Sequence, residues 1–400
     1  MRRLLRPSSF LLASLLLLAG APAHGAQRQA GAMGPRLGAS ISGARGKAAL
    51  GPAPTKSQLQ SVKAAAVNHF FNLEYAPAIA GFKRIAAAKP HAAGAWNHLA
   101  QAELYQEMYR MGALESTLYG KGDDFLRRKL LAPDPQTVAA INNDLKRAQS
   151  CAQAAMASHP DEAQAHYDLA VAWGLEANLA FSVKQSYWDA LGDAKNARRQ
   201  AEIAHRLKPG WVDPLLIIGV QNYVAGSLPW SMKIFTTLIG YRGNKTLGLQ
   251  QIAAVARSPG PAQSDAQVLL AVADRRDGRN RAAAALFSRL ATQYPRNVLF
   301  AVETGEAYEA AGEHDAARAA LQAIIERQHS GAPGYQKTPL AQVWYDLGSI
   351  AAEYSHWRQA GQDYARAAAV PSAPPHTRAA ARKAAAQAAR KVNAGSSHLY

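Results

Sequence analysis

The chain has 400 residues, is 48% hydrophobic and 18% charged, and carries a formal net charge of +17. That length suggests two or three globular domains, although a repeat array of this size forms one elongated unit. A single cysteine, Cys151, excludes an intramolecular disulfide framework, so packing alone must hold the fold, with Cys151 read as a small buried side chain.

The charge is not spread evenly. Residues 1–56 hold eight Lys or Arg and no acid, residues 377–400 hold five and no acid, and the middle sets thirty-two bases against twenty-eight acids. A duplex-reading surface needs its basic residues on one folded face, so no nucleic-acid partner is expected. Basic ends suit solubility or contact with an anionic membrane surface or polymer.

The first element is MRRLLRPSSFLLASLLLLAGAPAHGA: a basic start, an apolar run from Phe10 to about Gly20, and small residues at Ala21 and Ala23. This pattern is that of an export signal over residues 1–25, and the run is shorter than the ~20 residues of a membrane-spanning helix. It predicts an exported chain, periplasmic or associated with the cell envelope. Residues 26–56, rich in Gly, Ala and Pro and free of acid, read as a flexible linker.

From Ser57 onward apolar residues recur at i, i+3, i+4 and i+7, which predicts helices throughout and no strands. A register of about 34 residues emerges when the chain is aligned on prolines that follow helices. The first copy, near 59–92, places Ala78, Phe82 and Pro90 in register, and the next opens with Trp96, Leu99 and Ala100. The copies near 93–162, 163–211 and 212–261 are stretched by about 36, 15 and 16 residues, enough to lengthen helices or add one. Regular spacing returns near 264–297, with Leu270, Ala271, Gly278, Ala283, Phe287 and Pro295, and near 298–331, with Gly305, Tyr308, Gly312, Ala317 and Leu321. The last copy, 341–374, shows Trp344, Leu347, Gly348, Trp357, Ala360, Tyr364 and Ala367. Small residues at 348 and 360 let paired helices approach, and glycine at 278 and 312 suits the turn between them. This is the spacing of the tetratricopeptide repeat (TPR), and it predicts an all-α superhelix of antiparallel helix hairpins with enlarged central repeats. A basic Ala-rich helix over 375–400 would cap it.

Within the third stretched copy, AGSLPWSMKIFTTLIGYRG at 225–243 breaks one helix at Gly226-Ser227 and starts another near Pro229. Ile234, Phe235, Leu238 and Ile239 then fall on one face before Gly240. The run 219–252 resembles a segment of the mitochondrial outer-membrane and inclusion-body-clearance TPR family of eukaryotes. Through GSLPW, GYRGNKTLGL and ALGDAKNARR the chain also resembles a group of exported bacterial TPR proteins, over roughly 60–310. Trp230 and Gly226 to Pro229 match the shared pattern, while Asn244 stands where an Asp is expected. The resemblance implies no catalytic residues.

The chain has no H-E-x-x-H, no cysteine pair, no Walker-type loop and no G-x-S-x-G, so it is not read as an enzyme, and neither cofactor nor metal is expected. His166 reads as a solvated or capping residue, and Asp123-Asp124 beside Lys121 and Arg127-Arg128 as an exposed charged turn. The aromatic residues of the stretched copies are more informative: Tyr105, Tyr109 and Tyr119; Trp173, Tyr187 and Trp188; Tyr223, Trp230 and Tyr241. Packing of long inserted helices accounts for most of them. Trp230, Tyr241, Tyr223, Trp173 and Trp188, with Arg242 and Lys245, are the candidate binding residues of a concave groove for a protein, peptide or envelope polymer. The alternative is a peripheral membrane protein using helix 230–240 and the basic tail, and the third reading is an exported enzyme.

Overall fold

The computed structural model describes residues 55–114, 131–227, 243–336, 338–373 and 375–396. Among these residues there are helices and turns and no strand. In chain order the helices are α1 (Lys56–Phe71), α2 (Tyr75–Ala88), α3 (Ala93–Met111), α4 (Pro135–Ser158), α5 (Ala163–Asn178), α6 (Tyr187–Leu207), α7 (Pro214–Ser227) and α8 (Lys245–Arg257). They continue with α9 (Gln263–Arg276), α10 (Asn280–Gln293), α11 (Val298–Ala310), α12 (His314–His329), α13 (Leu340–Glu353), α14 (Trp357–Ala369) and α15 (Pro375–Ser396). A π-helical turn, Leu179–Val183, extends α5.

Local chemistry sets where helices begin. Thr55 and Gln58 form a reciprocal capping box at α1, and Asp134 caps α4 with Pro135 in its first turn. Asn244 caps α8 by accepting from the Leu247 amide at 3.0 Å. A neutral amide oxygen performs that task as well as a carboxylate, so the Asn in place of Asp costs this helix nothing. The turns α9–α10 and α11–α12 place Gly278 and Gly312 at φ +78° and +75°. The α1–α2 and α13–α14 turns adopt the same left-handed conformation with Leu73 and Ser355, at φ 61° and 59°.

Helices pair because small residues sit where they cross. A Cβ on Gly81 would come within 2.8 Å of the Ala66 side chain, one on Gly305 within 2.7 Å of Leu321, and one on Gly348 within 2.8 Å of Tyr364. Between α7 and α8 the approach is backbone on backbone, with Gly219 and Gly248 facing each other. At their far ends Gly226 and Gly243 also meet, so residues 227 and 243 lie together although fifteen residues separate them in sequence. Stacked hairpins thus share apolar interiors, the largest running from the first hairpin to α11.

The first helices of the central hairpins, α3, α5 and α7, are buried nearly all round, with Leu104, Leu175, Leu179, Leu216 and Tyr223 among the most enclosed side chains. The superhelix winds so tightly that its first hairpin lands on the turn between α10 and α11. Asn297 donates through Nδ2 to the Phe71 carbonyl at 2.7 Å. Phe71 stacks on Tyr294 with ring centroids 4.8 Å apart, and Arg296 reaches Glu74 at 2.8 Å. Across the interior, Gln101 of α3 donates to Asp265 of α9 at 3.4 Å. The first hairpin and α3 therefore meet α9 to α11 across the interior of the superhelix. At the other end, α15 buries Ala381 and Ala388 on α14 and leaves Arg382, Lys383, Arg390 and Lys391 exposed. Among the described residues no helix is long and apolar enough to cross a membrane.

Candidate functional site

Where the first hairpin meets α9–α11, the fit is incomplete. Phe70, Phe71, Tyr75, Tyr105, Phe287 and Phe300 wall a cleft that leaves about 90 Å³ for the centres of water-sized molecules, room for one side chain. The walls support one another: Phe70 meets Phe71 edge-on at 5.1 Å, Tyr75 at 5.8 Å and Tyr105 at 5.2 Å. Asn297 at its margin is doubly committed, capping α11 through Oδ1 to the amides of Leu299 and Phe300 while holding Phe71.

Among the described residues, the charged groups in the lining are both acids, Asp265 and Glu303. Burial pushes the Asp265 carboxyl up to about 7, with Asp213 adding repulsion and hydrogen bonds from its own backbone and Gln101 opposing. Glu303 pairs through Oε2 with Arg275, yet burial still drives its carboxyl upward against that pull. Its other oxygen, Oε1, is buried without a hydrogen-bond partner.

A pH dependence follows from Asp265. Its carboxyl ionises near 4 in the unfolded chain and near 7 in the fold, so the folded state holds the extra proton and loses stability as pH rises between those values. The Asp265→Asn variant, measured by urea unfolding at pH 5 and pH 8, should gain on the wild type as pH rises. The difference should reach on the order of 3 kcal/mol by pH 8.

Most aromatic candidates prove to be packing residues. Tyr223, expected in a groove, is fully buried; its hydroxyl donates to Asp277 Oδ1 at 3.2 Å. It is enclosed because the glycine crossing draws α8 onto it, and this corrects the groove assignment. Trp173 is partly buried against the core, and Tyr105 and Tyr109 pack on Phe70 and Tyr75. Lys245 pairs with Asp277 at 2.6 Å and sits 5.9 Å from the Tyr223 ring, so it closes over a core residue. Among the described candidates Trp188 is the exposed one, at 76%. Trp230, Tyr241, Arg242, Tyr119, Asp123-Asp124 and the helix expected over 230–240 lie outside the described residues.

His166 is buried rather than solvated, held by Gln200 at 2.8 Å and the Pro160 carbonyl at 2.9 Å. Cys151 is half-buried, and burial raises its thiol. Phe70, Phe71, Tyr75, Asp265, Asn297 and Glu303 were not singled out from the sequence. The one available clue is an acid set among core positions, as in Val302-Glu303-Thr304.

Antiparallel hairpins stacked in sequence order, crossing on Gly and Ala and turning on positive-φ residues, define a TPR-type α-solenoid. No family model matches the chain, and no curated protein matches its sequence. Among solved structures it is similar to a thermophilic TPR protein of Thermus thermophilus, at 16% identity over 62% of this chain and 98% of that one, with a TM-score of 0.34. A TPR protein of Parabacteroides merdae matches at 12% identity over 82% of this chain and 98% of that one, with a TM-score of 0.28. The Cut9–Hcn1 hetero-tetramer of the APC/C matches at 14% identity over 84% of this chain and 56% of that one, with a TM-score of 0.36.

Proposed function

We propose that the protein is a non-catalytic binding scaffold that takes a large apolar side chain of a protein or peptide partner into the cleft between its first hairpin and α9–α11. The observation that carries this reading is the aromatic wall. Six rings surround a space that the chain leaves unfilled. Rigid rings held by their neighbours present apolar area at little entropic cost.

Val268 lines the cleft and is partly exposed, so Val268→Trp fills the space without removing a wall. Immobilised random nonapeptides retained by the wild type should carry a large apolar residue, and the variant should retain about tenfold fewer, since losing one buried apolar anchor costs ~1.5–3 kcal/mol. Equal retention by a variant with unchanged helical circular dichroism would remove the cleft from consideration.

We further infer export to the cell envelope, supported by the basic, apolar and small-residue order of residues 1–25. N-terminal sequencing of protein from the expressing cells should then begin within or just after Ala21 to Ala26, and a start at Met1 would argue against it.

A further inference from the structure

Beyond the cleft the interior face continues from α11 to α13 and changes character. Glu303, Glu306 and Glu309 stand on successive turns of α11, and Asp346 of α13 lies within electrostatic reach of the last two. Arg275 of α9 is the cation here: it holds Glu303 and, at 2.5 Å, Glu306. Glu353, next along, pairs with His314 at 3.1 Å. Arg275 thus pairs with two of these carboxyl groups and acts on Glu309 and Asp346 through its charge alone, in a chain whose formal net charge is +17.

Two oxygens in this bank have no partner. Asp346 is 7% exposed; one of its oxygens accepts from Gln342 Nε2 at 2.7 Å, and Oδ2 is buried and unpaired. Glu303 Oε1, at the cleft end of the bank, is likewise unpaired. For these two buried oxygens the fold itself supplies no donor, which leaves them open to one brought by a ligand. Both unsatisfied atoms are carboxyl oxygens, which accept hydrogen bonds once ionised, and a cation brought against them would favour that ionised form.

We propose that this bank receives the lysine or arginine side chains of a basic peptide segment, whose neighbouring apolar residue enters the aromatic cleft. The proposal rests on the scaffold reading of the cleft and adds the chemistry of the partner. Burial and mutual repulsion push Glu309 up to about 7 and Asp346 well above the usual carboxylate range. A cationic side chain would supply both the charge and the hydrogen bonds these groups lack.

The nonapeptide experiment separates the two readings. Asp346→Asn and Glu309→Gln remove an ionisable carboxyl while leaving both Arg275 pairs in place, and circular dichroism checks their fold. Peptides retained by the wild type should be enriched in Lys and Arg near the apolar anchor. The enriched sequence, remade as a labelled peptide, should bind each variant at least about tenfold more weakly in fluorescence anisotropy. Retention with neutral or acidic residues beside the anchor would overturn the cationic assignment and leave the scaffold reading standing, as would unchanged affinity in both variants. If nothing is retained, both readings fall.

Discussion

Replacing Asn297 by alanine should destabilise the protein by about 3 kcal/mol and open its ring. The side chain does two jobs at once. Its Oδ1 caps α11 at the amides of Leu299 and Phe300, and loss of such a cap costs ~1 kcal/mol. Its Nδ2 satisfies the carbonyl of Phe71 at 2.7 Å in a buried position. Alanine leaves that carbonyl orphaned, a further ~1–3 kcal/mol. The neighbouring Arg296–Glu74 pair looks stronger on paper, with two hydrogen bonds at 2.8 and 3.0 Å, but both side chains are 31% exposed. Screened by water, such a pair contributes only ~0–1 kcal/mol. The expected order is therefore a large loss for Asn297→Ala and a small one for Arg296→Ala, read from urea midpoints. Small-angle scattering should show a larger radius of gyration for Asn297→Ala only, because the first hairpin then swings free of the α10–α11 turn. A variant that loses stability while keeping its dimensions would mean that the cap alone matters and that Asn297 does not hold the ring shut.

The hairpins were legible because their cause is local. A helix pair needs an apolar stripe, a small residue at the crossing and a turn, and Gly305, Ala317 and Gly312 display all three within one register. Ring closure was not legible. Phe71 and Asn297 are 226 residues apart, and each reads as an ordinary member of its own repeat; only the accumulated twist of the intervening hairpins brings them together. The cleft inherits that invisibility, since its walls come from both sides of the closure. Tyr223 misled for a related reason. Aromatic residues in a stretched repeat suggest a surface, but Gly219 lies one turn before it and Gly248 faces it, and this pair of glycines draws α8 over the ring. The acids of the inner face are the clue that a sequence reader could have used. Asp265, Glu303 and Asp346 each interrupt a buried helical face, where an acid is costly unless something answers its charge.

The same crossing supplies the second large effect. A Cβ placed on Gly248 would sit 2.5 Å from the carbonyl oxygen of Gly219 and nearer still to the amide nitrogen of Tyr223. Both are backbone atoms inside α7, so no rotamer change relieves the clash, and the two helices must part along their length. Gly248→Ala should cost at least the ~3 kcal/mol at the upper end of overpacking penalties, and Gly248→Val more. Parting the helices would also loosen Tyr223 from Asp277 and Lys245 from its place above the ring, so near-ultraviolet circular dichroism should change with stability. Gly361 of α14 is the internal control. A Cβ there would meet only the Ala388 side chain at 3.6 Å, an ordinary contact. With no clash to offset it, the helical preference of alanine over glycine should dominate, and Gly361→Ala should gain ~1 kcal/mol. Glycine in this chain thus serves opposite ends: at 248 the missing side chain is what lets the helices touch, and at 361 it is a cost with no packing return. Equal responses at the two sites would show that helix propensity, not the approach of α7 to α8, sets the demand at 248.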